Sequence, residues 1–245
     1  MMTAGEPEKY SRPELDREAT AGQAPIQGFE KASTDYEASK SWRPVSDRKI
    51  RVGIAGYGVC SFGAAFHFQD HPNVTVAAVA EIDPDKRAGL ARTCRCTTEY
   101  HSCEELIEDD SLEAVFVTTD APSHARLAIA ALKAGKHVAS AVPAVLGSLE
   151  DADELFAAAR TSDRSYMMFE TSYFHEDLYT MREMFRAGAL GRVVYAEGEY
   201  WHYFPTPLAA HDGWRTGLPP QWYPTHSNAY YVGVTGGSFT EVSCM

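Results

Sequence analysis

Five short apolar runs, each followed by a stretch of helical periodicity, constrain this chain more than any other feature. "IRVGIAG", "VTVAAVAEI", "AVFVTT", "HVASAV" and "YMMFET" are too short and too β-branched for helices. A strand followed by a helix returns to the sheet parallel to the strand before it, so the alternation from Arg48 onward predicts an α/β fold on a parallel, doubly wound sheet. Helix boundaries agree. Asp83-Pro84 sets a capping side chain before a proline at the first helical position, and Ser102 with Glu105 forms a capping-box pair. Ser148 caps "SLEDADELFAAARTS", and Gly135 terminates "APSHARLAIAALKAG".

The pattern divides the chain in three. Residues 1–47, rich in Ala, Glu, Ser, Thr and Pro with no apolar period, form an N-terminal extension without chemistry. Residues 48–170 form the dinucleotide-binding domain. From Thr171 the texture changes: "VVYAEGEYWHYF" alternates like a half-buried antiparallel strand, so residues 171–245 begin a second α/β domain with a mostly antiparallel sheet. The last segment, "SFTEVSCM", reads as a strand with nothing after it to pair with. Either the second domain is incomplete or this edge pairs with another chain in an oligomer.

Composition excludes other classes. A formal net charge of −12 argues against nucleic acid, whose binding rests on clustered Lys and Arg. No apolar run approaches the roughly 20 residues that span a bilayer, and the opening "MMTAGEPEKY" lacks the apolar core of a secretory signal, so a cytoplasmic protein off the membrane is expected. The five cysteines follow no disulfide framework. "CRCTTEYHSC" offers Cys94, Cys96, His101 and Cys103, but its C-x-C spacing is not that of a closed zinc site, and no metal is expected.

"GIAGYGVCSFGAAFHF" follows the first strand and opens a helix. Gly56 and Gly58 occupy the first two places of a G-x-G-x-x-G fingerprint, with Tyr57 and Val59 interleaved; the third place is Ser61, with Gly63 as an alternative close-packing position. The helix start would offer N–H groups and a positive dipole end to a pyrophosphate. Glu81, closing the second strand, can accept both hydroxyls of an adenosine ribose and repels a 2′-phosphate, which favours NAD over NADP. Lys86 and Arg87 close by blur that preference.

"GIAGYG", "VAEIDPDK", "LEAVFVTTDAPSHARLAIAALKAGKHV" and "REMFRAGALGRVVYAEGEYW" together resemble the Gfo/Idh/MocA family of NAD(P)-dependent sugar and inositol oxidoreductases over residues 49–245. The resemblance implies a Rossmann domain followed by an α/β domain whose sheet helps form the substrate pocket and joins subunits into a homo-oligomer. It also implies a Glu-Lys-Pro turn whose lysine moves the substrate's hydroxyl proton. Here that turn is Ala141-Val142-Pro143, and the lysine is absent. Family members commonly have a cis bond before this proline, although trans is the ordinary state of any X–Pro bond. A second family motif places an Asp four residues before a His; the His is His226, and Trp222 stands at the Asp position. Thr119 and His124 match a segment that lines the nicotinamide pocket, where Val142 and Pro143 also fall.

Hydride transfer from an alcohol needs a base for the hydroxyl proton. With Val142 unable to serve, His226 is the candidate base and Tyr173 a phenolic relay, while Tyr223, Glu170 and Trp201 are candidate contacts to a carbohydrate-like substrate. One reading is an NAD-dependent oxidoreductase acting on a sugar, inositol or polyol. Another follows from NAD-dependent glycoside hydrolases of the same fold, which share the Val-Pro turn and a Tyr-Pro-Thr-His segment, here Tyr223 to His226, and show no net redox; Ala141 departs from their Glu. The remaining readings are a non-catalytic nucleotide- or sugar-binding protein and a truncated, inactive domain.

Overall fold

The computed structural model describes residues 42–58, 61–201 and 213–244, so most of the expected extension, and Val59, lie outside the described residues. Six parallel strands form one sheet: β1 (Ile50–Ala55), β2 (Val74–Ala80), β3 (Glu99–Tyr100), β4 (Ala114–Val117), β5 (His137–Ala141) and β6 (Tyr166–Phe169). Their order is β3-β2-β1-β4-β5-β6. The chain therefore winds outward from β1 in one direction and from β4 in the other. A crevice opens at the carboxyl ends of β1 and β4, where the winding reverses.

Helices cover both faces, as a parallel sheet requires. On one face α1 (Phe62–Ala65) and α2 (Pro84–Cys94) pack with Ile54, Val79, Leu90 and Phe116. On the other, α3 (Cys103–Ile107), α4 (His124–Lys133) and α5 (Leu149–Thr161) pack with Ala55, Leu106, Val115 and Val117. The period-2 alternation of strand side chains produces this division, since Val115 and Val117 face one layer and Phe116 the other. Complete burial of an Ile, Leu or Phe contributes about 1.5–3 kcal/mol, which makes this double layer the stable body of the molecule. Cys94 and Cys103 belong to opposite layers, so the Cys/His cluster of the sequence is split by the sheet.

The expected caps form. The Asp83 carboxylate accepts the Asp85 and Lys86 N–H groups, and the Ser148 hydroxyl accepts that of Asp151. Gly135, at φ 75°, follows α4. The Glu105 arm of the capping box reaches the N–H of His101 rather than that of Ser102.

The structure departs from the sequence reading at three points. The helix after the glycine loop is a single turn: Ser61 and His67 both take left-handed φ values, and Phe66 and Phe68 turn into an aromatic cluster with Phe116 and Phe169. Its dipole contribution is correspondingly small. Strand β3 escaped the sequence reading because two residues, one exposed, leave no apolar run. Among the described residues after Phe169 no strand forms: 193–201 and 237–244 run unpaired and mostly exposed. An extended segment without a neighbour has no ladder to complete. The ordered part of this region is α6 (Glu176–Arg186) and α7 (Thr225–Thr235), packed through Leu178, Ala229 and Val234.

Candidate functional site

A cleft of ≈ 340 Å³ lies over the carboxyl ends of β1, β2, β4 and β5 and is closed on one side by α7 and the segment before it. Its floor is the glycine loop. Gly56 sits at φ 99°, and a Cβ there would come 2.4 Å from the Thr118 carbonyl oxygen, so only glycine lets the loop pass β4 this closely. The Thr118 hydroxyl fastens the approach, its single proton shared between the carbonyls of Ala55 and Gly56 at 3.0 and 2.6 Å. Gly58, at φ 59°, has nothing within 4 Å of where its Cβ would stand, which leaves open space above the loop. The close-packing position is Gly63, whose Cβ would lie 2.4 Å from the Gly56 carbonyl. Ser61 plays no such part and does not line the cleft.

Glu81 closes one end. Its Oε2 accepts the N–H groups of Tyr57 and Gly58 at 2.8 and 3.2 Å, and Oε1 accepts that of Asp83 at 3.2 Å. A carboxylate has about four acceptor sites, so three are in use and Glu81 orders the loop as well as facing the cleft. Arg87 turns away, donating to the Glu81 carbonyl and pairing with Glu99, whereas Lys86 lines the cleft.

Thr119, His124 and Val142 line the cleft beyond β4 and β5. His124 is buried, with Nδ1 2.8 Å from the Pro143 carbonyl and Nε2 3.0 Å from that of Thr119. Burial pushes its pKa below the usual imidazole value, against the pull of these two carbonyls. It acts as a strut between the β4 loop and the turn after β5. The Val142–Pro143 bond is cis, and Pro143 itself stands behind the lining.

At the other end His226 enters from the first turn of α7. Its Nδ1 donates to Oε1 of Glu170 at 2.6 Å, and the Ser172 N–H donates to the same oxygen at 2.8 Å. Burial works to raise the Glu170 pKa, but the hydrogen bond and charge of His226, then the Ser172 N–H and Thr225 hydroxyl, outweigh it and hold the carboxyl below its ordinary 4.5. With Nδ1 donating to Glu170, the other ring nitrogen, Nε2, makes no hydrogen bond among the described residues. Tyr200 and Tyr223 flank the ring, at centroid distances of 4.2 and 5.5 Å.

Three sequence assignments fall elsewhere. Glu170 does not line the cleft: it is buried and bonded to His226. Tyr173 lies outside the cleft, its ring under the Arg182 guanidinium at 4.8 Å and against Gly233. Trp201 is 82% exposed, and its Nε1 donates to Glu199. The inward aromatic is its neighbour Tyr200, because adjacent residues of extended chain face opposite ways. Trp222 sets its ring against Gly147 in the loop after β5. Trp214 and Arg215 line the cleft unforeseen; their presence in an aromatic loop was the only signal.

Residues 50–170 match the family model GFO_IDH_MocA, described as "Oxidoreductase family, NAD-binding Rossmann fold". This Rossmann domain belongs to the Gfo/Idh/MocA family. Among its relatives, a "Glycosyl hydrolase family 109 protein" of Porphyromonas gingivalis is 26% identical over 162 residues, 62% of this chain and 34% of its own length. A "Glycosyl hydrolase family 109 protein 2" of Shewanella sp. strain ANA-3 is 26% identical over 212 residues, 77% of this chain and 46% of its own. The solved scyllo-inositol dehydrogenase of Lactobacillus casei "with bound cofactor NAD(H) and scyllo-inositol" superimposes with a TM-score of 0.55 at 18% identity, over 59% of this chain and 43% of that one. The chain therefore spans less than half the length of these relatives. No helix among its described residues is long and apolar enough to cross a membrane.

Proposed function

We propose that this chain binds NAD in the cleft and forms part of an oxidoreductase that removes hydride from a hydroxyl-bearing carbon of a sugar, inositol or related polyol. The observation that carries the reading is the His226–Glu170 pair: an imidazole at the cleft wall whose outer nitrogen is held by a buried carboxylate and whose inner nitrogen is available. The open space over Gly58, the Gly56 approach and the Glu81 carboxylate fit a dinucleotide. Gly56, Tyr57, Gly58 and Glu81 would hold its adenosine diphosphate part, with Thr119, His124 and the Val142-Pro143 turn around the nicotinamide. Val59 lies outside the described residues.

NAD, when bound, supplies the hydride acceptor. The rest falls to side chains. As the carbinol carbon gives up its hydride and becomes a carbonyl, its hydroxyl proton passes to Nε2 of His226. Glu170 fixes the tautomer that leaves this nitrogen unprotonated and offsets the imidazolium charge that results. Glu170 is thus a positioning residue. Tyr223, beside His226 and in the cleft, is the substrate-facing phenol. Assembly of copies through the second domain is part of the same proposal, and light scattering would test it.

The test is a titration of NAD and NADP into nucleotide-stripped protein, followed by polyol-dependent NADH formation. Wild type is expected to bind NAD more tightly than NADP. His226→Gln is expected to keep that binding and lose NADH formation by about 10²–10⁴-fold. Failure to bind either nucleotide would refute the reading. A second reading, redox-assisted glycoside cleavage, is favoured by the name of the two relatives above and by the Tyr223-Pro224-Thr225-His226 segment. Release of an aglycone without net NADH would establish it in place of the first.

A further inference from the structure

Arg215 is a cation in the cleft that meets no anion among the described residues. Its guanidinium lies over Trp214 at 4.6 Å and over Tyr223 at 5.2 Å, and its Nε is buried without a hydrogen-bond partner. No hydrogen bond or ion pair to it is found among the described residues. The carboxylates lining the same cleft are engaged elsewhere. Glu81 holds the glycine loop, Asp83 caps α2, and Asp120 accepts the Ser123 hydroxyl. Lys86 belongs to the Glu81 and Asp83 end of the cleft.

A half-buried guanidinium forfeits hydration, and ring faces replace only part of it, because in-plane N–H donors remain unsatisfied when the plane is stacked. Those donors form a planar fork that matches a carboxylate or phosphate two bonds at a time. A chain of formal charge −12 repels anions at long range, so a cation placed here acts locally, on what has already entered. Tyr223 contacts both Arg215 and His226, which sets the anion site one ring's width from the proton acceptor.

We propose that the substrate of this cleft carries an anionic group, a carboxylate or phosphate, bound by Arg215 on the molecule whose hydroxyl faces His226. An acid sugar or a sugar phosphate has that chemistry; a neutral inositol does not. The inference rests on the substrate reading above, which it narrows.

The experiment measures binding to wild type, Arg215→Met and Arg215→Lys at matched ionic strength. The probes are glucose against glucuronate and glucose 6-phosphate, galactose against galacturonate, and inorganic phosphate alone. Wild type is expected to prefer at least one anionic probe by about tenfold or more over its neutral counterpart, the size of a hydrogen bond to a charged group. Arg215→Met should abolish the preference, and Arg215→Lys should keep part of it. Preference for uronates alone identifies a carboxylate, and for the phosphates alone a phosphoryl group. Equal binding of all probes by wild type, or no binding, overturns the proposal without need of a variant. So does a preference that survives in Arg215→Met, which would place the anion at the glycine loop. Parallel NAD titration separates the two claims: NAD binding without anion preference sinks this inference alone, and anion preference without NAD binding sinks the oxidoreductase reading alone.

Discussion

Glu170→Gln isolates the charge of the buried pair while keeping its shape. In the wild type Oε1 accepts two hydrogen bonds, from His226 Nδ1 at 2.6 Å and the Ser172 N–H at 2.8 Å, and glutamine retains an oxygen able to accept both. What is lost is the charge assistance. Hydrogen bonds to a charged group are worth about 1.5–3 kcal/mol and neutral ones about 0.5–1.5, so two bonds lose about 2–3 kcal/mol together. For a chain of this size that lowers the unfolding midpoint by roughly 5–10 °C at neutral pH. The sign with pH follows from the depressed Glu170 pKa. Its stabilisation is complete above the ordinary value of 4.5 and is lost as pH falls through the lower folded value, where the wild-type carboxyl protonates too. The difference between wild type and variant should therefore shrink on going from neutral pH to about pH 3.5, while contributions shared by both proteins, such as that of His124, cancel. Urea unfolding of both proteins at the two pH values measures it. An equal difference at both, or no difference at neutral pH, would refute the claim that the pair holds Glu170 ionised.

The glycine loop gives a contrasting pair. Gly63→Ala forces a methyl to 2.4 Å from the Gly56 carbonyl and should cost about 1–3 kcal/mol in denaturant unfolding. Gly58→Ala meets nothing within 4 Å, so its left-handed φ should cost about 1 kcal/mol, while NAD affinity falls more than in proportion when measured by titration. Glu81→Gln keeps the loop's acceptor but removes the charge facing a 2′-phosphate, so the ratio of NAD to NADP affinity should fall by about tenfold. Burial pushes the thiols of Cys94 and Cys103 up to about 12, so timed alkylation at mildly alkaline pH should label exposed Cys244 well before either, with both reached only on unfolding. Val142→Lys should leave NADH formation no higher than wild type, because its ammonium would enter the cleft with Ala141 where a carboxylate would be needed. A gain in rate would refute this and show that a lysine at position 142 can handle the proton in this cleft.

Local signals carried the Rossmann half. Its strands announced themselves because a sheet covered on both faces needs unbroken apolar runs, and its helices because caps such as Asp83 and Ser148 act within three residues of themselves. The glycine at 63 was visible but its role was not, since that depends on where the Gly56 carbonyl points after the turn. The aromatic stretch before residue 202 suggested a strand by its alternation, yet alternation states only that one face is apolar and supplies no partner strand. The site itself was half legible. His226 could be found through a motif, but the carboxylate that governs it lies 56 residues away in sequence, and Glu170 carries no local mark distinguishing a substrate contact from a buried acceptor. Arg215 was silent for the same reason, because isolation from a counter-charge is a property of the assembled cleft.

The two departures from the family pattern are related through this geometry. At the lysine position Val142 lines the cleft without a titratable group, and at the acid position Trp222 points its ring at Gly147 instead of partnering the histidine four residues on. A histidine deprived of both would keep no fixed tautomer, and its Nε2 would carry the proton as readily as Nδ1. Glu170 removes that ambiguity from behind, across the junction between the end of β6 and the start of α7. The Trp222 ring against Gly147 ties the loop carrying Val142-Pro143 to the segment just before α7, which carries His226. Proton handling and cleft shape are thereby fixed by one contact set, with His226 held from β6 and its surroundings held from β5. Arg215 stands outside that set, stacked and without a hydrogen bond among the described residues, which is why the proposed anion site is placed at it.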